Sequence, residues 1–138
     1  PSATAVINLD DPDNEIYLDR LGVGNKIACI KPMNVPMIVR ELTNPGVTRQ
    51  IESLLGDTGQ ELYSMTVPKN SQEQTFGQLS TVFLSQHGSL LYAVVPDPES
   101  DSEAIINPGS DFKIQPAMKL SYMASEKISS NAVKKIFG

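Results

Sequence analysis

The residues best suited to chemistry in this sequence are oxygen ligands in the segment "NLDDPDNE". They are Asn8, Asp10, Asp11 and Asp13. Carboxylate and amide oxygens are hard ligands, and a set of this kind suits a calcium or sodium ion. The segment follows a predicted strand and begins a predicted helix, and ligands of open α/β sheets collect at the carboxyl ends of strands. The alternative is purely structural, because acids at the start of a helix also cap it and interact favourably with its dipole.

Residue sets for other chemistry are absent from the sequence. His87 and Cys29 are the single histidine and cysteine, and neither has a catalytic partner at a recognised spacing. We expect His87 in a surface loop and Cys29 packed in a strand as a small apolar residue. Gly22 and Gly24 lie in "LGVGN", but a dinucleotide fingerprint needs a strand before its glycines and a helix after them. We therefore predict that the protein is not an enzyme. The remnant of a nucleotide-using α/β enzyme is the alternative from another functional class.

The composition narrows the choice of partners. The net charge is −5 over 138 residues, whereas binding to nucleic acid or to an anionic membrane requires basic patches. No nucleic acid partner is therefore expected. One cysteine cannot form an internal disulfide, which fits a reducing compartment. No apolar run approaches the ~20 residues that span a bilayer. The chain opens directly on a strand pattern, which is typical of a piece of a larger protein.

The first part of the chain follows the pattern of a parallel α/β sheet. Strands are predicted at "TAVINL" and "NKIACIKP", with a helix starting in "DDPDNE" between them. Two further helices, "MNVPMIVRELT" and "VTRQIESLLGD", are separated by a break at Asn44, Pro45 and Gly46. The order strand, helix, strand, helix, turn, helix predicts parallel strands.

After Gly59 the pattern becomes that of a β-rich lobe. "QELYSMTVP" alternates, and "SLLYAVV" is a continuous apolar run that predicts a strand buried on both faces. We interpret "AIINPGSDFKIQPAMKLSYMAS" as two more strands. A short helix is predicted at "TFGQLSTVFLSQ" and an amphipathic helix at "SEKISSNAVKKIFG".

Three of these stretches resemble the RCK domain, which regulates potassium conductance in channels and in Trk-type uptake systems. "MIVRELTNPGVTRQIESLLGD" resembles its helix-turn-helix connector, and "AIINPGSDFKIQPAMKLSYMAS" resembles the last strands of its C-terminal lobe. "DDPDNEIYL" is similar to the helix start of the calcium bowl in the second RCK domain of Slo-type, calcium-activated potassium channels.

The resemblance implies an α/β fold in three parts. Residues 1–32 would be the last strands and helix of a Rossmann-like parallel sheet, and residues 33–56 the helix-turn-helix connector. Residues 57–138 would form a small α+β, β-rich C-terminal lobe of the TrkA-C type.

The sequence departs from the family pattern in two places. Asn8 and Leu9 stand where the family's aspartate run would continue, so Asp10 alone keeps a carboxylate at a ligand position. No cofactor is therefore certain, and a calcium or sodium ion is the candidate. Ala117 and Met118 stand where the family commonly has Gly-Asp before the last strand. We expect this turn to use ordinary backbone angles.

The function that the resemblance implies is that of a cytosolic regulatory, or gating, domain of a potassium or other cation channel or transporter. Ligand or ion binding and packing between subunits would be coupled to opening of a pore. The expected partners are copies of the same chain, as a dimer or higher ring, and a membrane pore domain. The expected location is the cytoplasmic side of a membrane, within a membrane protein assembly. The alternative is an assembly or dimerisation module of a Trk-type uptake system with no ligand of its own.

On this interpretation the connector carries the coupling, with Asn44, Pro45 and Gly46 as its hinge. The candidate interface residues are apolar positions of the two connector helices. They are Met37, Ile38, Leu42, Val47, Ile51 and Leu54. The alternative, that these side chains cover their own sheet, stays equally open at the level of sequence.

Overall fold

The computed structural model describes most of the chain. The described residues are 5–8, 15–20, 27–30, 34–56, 59–98 and 102–138. The chain forms two compact units, residues 1–52 and residues 53–138. The division after residues 32 and 56 that the resemblance implies stays a prediction. None of the helices in the described ranges is long and apolar enough to cross a membrane.

The described part of the first unit contains a parallel strand pair, a helix between the two strands and two helices after them. Its elements are β1 (Ala5–Asn8), α1 (Glu15–Arg20), β2 (Ile27–Ile30), α2 (Asn34–Thr43) and α3 (Val47–Leu55), the last of which ends in the second unit. β1 and β2 pair in parallel, with Ala5 opposite Ile27 and Asn8 opposite Ile30. Parallel neighbours need a connection longer than a hairpin, and α1 lies between them in the chain. The predicted parallel arrangement is confirmed.

The second unit is a β-rich lobe with two helices. Its elements are β3 (Glu61–Thr66), β4 (Gln74–Thr75), α4 (Phe76–His87), β5 (Leu90–Val95), β6 (Ile105–Ile106), β7 (Lys113–Ile114), β8 (Lys119–Ala124) and α5 (Ser130–Phe137). Four strands form an antiparallel sheet in the order β3-β8-β5-β6, and β4 and β7 form a separate two-stranded ribbon. The mixed helix and strand class is the one predicted from sequence.

Helix α4 has sequence signals at both ends. The Gln78 N–H donates to the Thr75 hydroxyl and the Thr75 N–H donates to the Gln78 side chain, which together make a capping box. Gly88 ends the helix with a φ of 58°, in the left-handed region that glycine adopts without a Cβ clash. Between the caps, Leu79 and Phe83 lie one turn apart and are fully buried. The helix is therefore fixed by its caps and by one apolar face.

One hydrophobic cluster joins the sheet of the second unit to both of its helices. β8 contributes Leu120, Tyr122 and Ala124, which alternate along the strand and therefore share one face. α5 contributes Ile136 and Phe137, which are buried while the rest of the helix is more exposed. Burial of apolar surface at roughly 25 cal/mol per Å² is the main term that stabilises such a lobe.

Two strand predictions need correction. The segment between residues 104 and 125 forms three strands rather than two, because β7 leaves the main sheet and pairs with β4. β5 is not buried along its whole length, since Leu90 is 53% exposed. An irregularity between Leu91 and Ala93 also shifts its register against β8.

The turn before β8 contradicts the expectation of ordinary backbone angles. Ala117 has a φ of 68°, a left-handed conformation that costs a residue with a Cβ roughly 1–2 kcal/mol. Pro116 precedes it, and the Met118 N–H donates to the Gln115 carbonyl at 3.3 Å. Proline at the second position and positive φ at the third are typical of a type II turn. The Ala117 N–H also donates to the Val67 carbonyl at 3.0 Å, so neighbouring contacts hold the turn although its third residue is not glycine.

Candidate functional site

The connector between α2 and α3 is shaped by backbone hydrogen bonds at its turn. The Asn44 N–H donates to the Arg40 carbonyl at 2.8 Å at the end of α2. Gly46 has a φ of 93°, a conformation that favours glycine. The Val47 N–H then donates to the Asn44 carbonyl at 3.2 Å, and α3 begins. The predicted hinge residues, Asn44, Pro45 and Gly46, therefore form the turn between two helices.

Glu41 ties the two connector helices together across this turn. Its two carboxylate oxygens accept hydrogen bonds from the Gly46 N–H at 2.8 Å and the Thr48 N–H at 2.9 Å. Thr48 lies in the first turn of α3, where N–H groups have no partner within the helix. Because these bonds favour the charged carboxylate, they lower the pKa of Glu41 below its ordinary value of 4.5. Sequence reasoning missed Glu41, although a glutamate shortly before an Asn-Pro-Gly break is a signal that could have found it.

Protonation of Glu41 is expected to loosen the connector turn. The folded-state pKa is lowered, so the stabilising contribution is present above the unfolded value and is lost as the pH falls through the folded pKa. In an NMR titration, the amide protons of Gly46 and Thr48 should shift together with a midpoint below pH 4.5. In Glu41→Gln this titration should disappear. The matched control is Glu52→Gln, since Glu52 lies on the exposed side of α3. Amide shifts that still titrate in Glu41→Gln would contradict the assigned bonds.

The connector presents apolar side chains to solvent. Ile38 and Leu42 lie one turn apart on α2 and are 61% and 79% exposed. Val39, which sequence reasoning did not single out, is exposed beside them. The other candidate interface residues are Met37, Val47 and Ile51, which are half-buried, and Leu54, which is exposed. Ile38 and Leu42 are thus the two candidates least covered by the rest of this chain.

The candidate cation ligands lie mostly outside the described residues. Asp10, Asp11 and Asp13 belong to a part of the chain that the structure does not describe. Asn8 is the last residue of β1, so its backbone lies at the carboxyl end of that strand. Within the described ranges, no three side chains of the His, Cys, Asp or Glu type converge as a metal site. The calcium or sodium site stays a prediction.

The single histidine lies at a helix end. His87 is the last residue of α4 and not part of a surface loop, and its carbonyl accepts a hydrogen bond from the Ser89 hydroxyl at 3.1 Å. The loop prediction was wrong because the capping glycine follows His87 directly. Cys29 lies within β2, as predicted.

Two open depressions on the described part of the second unit are lined by few ionisable groups. One has a volume of about 590 Å³, and Glu61 is the single ionisable side chain among its described lining residues. Another, of about 230 Å³, lies beside the exposed ion pair of Glu73 and Lys113. That pairing lowers the pKa of Glu73 and raises the pKa of Lys113, because each charge favours the other.

The fold of the chain is similar to that of solved structures from potassium channels. It matches the structure of the human SLO3 gating ring with a TM-score of 0.70 and 13% identity, over 99% of this chain and 28% of that chain. The GsuK RCK domain (TM-score 0.42, 14% identity) matches over 96% of this chain and 26% of its own. The GsuK channel bound to NAD (TM-score 0.41, 15% identity) matches over 97% and 22%. Neither of these two scores supports an argument by itself. No protein-family model and no curated protein matches the sequence.

Proposed function

We propose that this chain is a regulatory domain of a cation channel or transporter. It has the fold of a section of the human SLO3 gating ring, which confirms the expected likeness to an RCK domain of Slo-type channels. The conducted ion is potassium or another cation, and the domain lies on the cytoplasmic side of the membrane. The observation that carries the proposal is the fold match over 99% of the chain. The chain spans only 28% of the SLO3 chain, and the proposal assigns the pore to another domain or subunit.

The proposed mechanism is a shift between two arrangements of paired copies. A ligand or ion that binds one arrangement more tightly biases the equilibrium by the difference in binding free energy, and the pore follows. Turn residues absorb the change of angle when helices move as rigid pieces. The turn at Asn44, Pro45 and Gly46 has that place in the connector. The bonds that Glu41 accepts from the Gly46 and Thr48 N–H groups favour one angle between α2 and α3.

The contact between copies is proposed to form on the exposed face of α2. Ile38 and Leu42 leave apolar surface in water, and covering such surface is the main driving force for association. A second copy presents the same side chains, so a two-fold contact through this face is self-complementary.

Leu42→Lys is expected to weaken self-association and to alter gating. A lysine at the centre of the contact would lose buried apolar area and place two like charges close together. Loss of a central contact residue that costs about 1–2 kcal/mol weakens association about fivefold to thirtyfold, and we expect a change of this size by sedimentation velocity. The matched control is Leu84→Lys, because Leu84 is 63% exposed and belongs to α4 of the second unit.

The same two variants test the channel role. In inside-out patches carrying the full-length protein that contains this segment, a cation conductance is expected whose open probability changes in Leu42→Lys and not in Leu84→Lys. A wild-type chain that stays a strict monomer at high concentration contradicts the connector contact. A conductance that Leu42→Lys leaves unchanged contradicts the coupling.

The proposed sensor is the cation site at Asn8, Asp10, Asp11 and Asp13, and it rests on the sequence alone. Calorimetric titration with calcium and with sodium decides it. An ion that binds only the folded chain also raises its melting temperature. The absence of both a heat of binding and a thermal shift at millimolar calcium would contradict the cation site. In that case, paired copies that purify without any bound small molecule would favour the alternative, an assembly module of a Trk-type uptake system.

A further inference from the structure

The two edge strands of the four-stranded sheet differ in length and in residues that prevent further pairing. β6 has two residues and is followed by Asn107 and Pro108, and such a short, proline-terminated edge offers little to a further strand. β3, at the other edge, has six residues that pair with β8 in unbroken register from Glu61 to Thr66. It contains no proline, lysine or bulge, which are the usual devices that prevent pairing at an edge. Among the described strands of this sheet, β3 is thus the edge that can accept another strand.

The direction of the backbone groups on β3 follows from its end. The Val67 N–H donates to the Met118 carbonyl at 2.8 Å, and the Val67 carbonyl accepts the Ala117 N–H at 3.0 Å, so Val67 faces β8. Backbone groups alternate in direction along a strand. The N–H and C=O of Leu62, Ser64 and Thr66 therefore point away from β8, and no described residue bonds to them. The side chains of all three residues are exposed.

We propose that β3 pairs antiparallel with β3 of a second copy of this chain, about a two-fold axis at Ser64. In this register Ser64 lies opposite Ser64 of the second copy, and Leu62 lies opposite Thr66. All three outward N–H groups and all three outward C=O groups of each strand then bond to groups on β3 of the other copy. A two-fold axis at Leu62 or Tyr63 would place Thr66 opposite residues before β3. An axis at Met65 would place Leu62 opposite Pro68, which has no N–H to donate.

The side chains fit the same register. On the face that carries the hydrophobic cluster, each half-buried Tyr63 would lie opposite Met65 of the other copy, and a thioether beside an aromatic ring is a favourable contact. Glu61 is the only charged residue of the strand. The two glutamates would be about 20 Å apart along the paired strands. This distance exceeds the Debye length of roughly 8–10 Å, beyond which salt screens the interaction of exposed charges. The register therefore brings no like charges together.

The β3 surface is different from the connector face on α2, so the proposed β3 pairing does not depend on the proposed function. A chain with two separate self-complementary surfaces can build assemblies larger than a dimer. The contact area of a single strand edge is small, and we expect this association to be weak by itself.

Cysteine cross-linking tests the register directly. In a Cys29→Ala background, Ser64→Cys should give a covalent dimer on mild oxidation, because directly opposite residues of a hydrogen-bonded pair have Cα atoms about 5.5 Å apart, within disulfide range. Leu62→Cys should not, since its two copies would be about 13 Å apart along the strands. A mixture of Leu62→Cys and Thr66→Cys should cross-link. Ser121→Cys, on the interior strand β8, is the matched negative control. The proposal is overturned if Ser64→Cys stays monomeric at high concentration, or if Leu62→Cys cross-links as readily.

Charge pairing gives a second, non-covalent test in a Leu42→Lys background, where the connector contact is weakened. Ser64→Lys and Ser64→Glu should each lower self-association, since like charges directly opposite are unfavourable. An equal mixture of the two should associate more tightly than either variant alone. A mixture that behaves as the average of its components would contradict a two-fold axis at Ser64.

Discussion

Replacing Phe83 with alanine is expected to lower the free energy of unfolding of the second unit by about 3–5 kcal/mol. The Phe83 side chain is fully buried, and its ring meets the ring of Tyr122 edge-on with centroids 5.5 Å apart. Alanine removes this apolar surface and leaves a cavity between α4 and the sheet that neighbours fill only in part. Domains of this kind are stable by about 5–15 kcal/mol in total. The variant should therefore lose a large share of its stability.

Urea denaturation followed by circular dichroism measures this loss. The matched control is Leu84→Ala, because Leu84 is the next residue of the same helix and points to solvent. Both variants lose a large apolar side chain from the same helix, so they differ mainly in burial. We expect the control to change the free energy of unfolding by no more than about 0.5 kcal/mol. Similar losses in the two variants would contradict the assignment of α4's buried face.

Local signals explain why much of this fold could be predicted from sequence. The apolar spacing of α4 predicts a helix, and Thr75 before it and Gly88 after it indicate where the helix begins and ends. The alternation through Leu120 and Tyr122 states which face of β8 is buried. In each case the residues that carry the signal are neighbours in the chain, and the periodicity of the element is enough to read it.

Features that depend on distant contacts could not be read in the same way. The ribbon of β4 and β7 joins two strands of two residues each, Gln74–Thr75 and Lys113–Ile114, and such short segments carry no periodicity. The left-handed turn at Ala117 is held by the Val67 carbonyl, which lies far away in the sequence. Because position 117 is alanine and not glycine, residue propensity alone predicted ordinary backbone angles there. Propensity does not include the contact with Val67.

The sequence analysis predicted the turn of the connector and missed the hydrogen bonds that hold it. The Asn-Pro-Gly break marked the turn, since proline and glycine are strong helix breakers. The bonds that the Gly46 and Thr48 N–H groups donate to Glu41 were not expected, because the helix pattern alone predicts a solvated side chain at this position. Which apolar positions of α2 are uncovered also required coordinates, and Ile38 and Leu42 proved the most exposed of the candidates.

The second large effect is expected for Tyr122→Phe. This change should lower the free energy of unfolding by about 1–3 kcal/mol. Tyr122 is fully buried, and its hydroxyl accepts the Ile128 N–H at 3.0 Å. Phenylalanine keeps the ring and removes only the oxygen, so the half-buried Ile128 N–H would lose its partner. The cost is the desolvation of an unpaired amide rather than a loss of packing. This bond anchors the segment between β8 and α5, whose Ile136 and Phe137 enter the core.

Tyr63→Phe is the matched control for this oxygen. The Tyr63 ring lies beside that of Tyr122, with centroids 5.6 Å apart, but its hydroxyl donates to the exposed carboxylate of Glu61. Water can replace that bond, so we expect almost no change in the free energy of unfolding. Hydrogen exchange adds a local measurement: the Ile128 amide should lose protection in Tyr122→Phe and keep it in Tyr63→Phe. Equal stability of the two variants, with Ile128 protected in both, would show that the tyrosine hydroxyl does not hold this segment to the sheet.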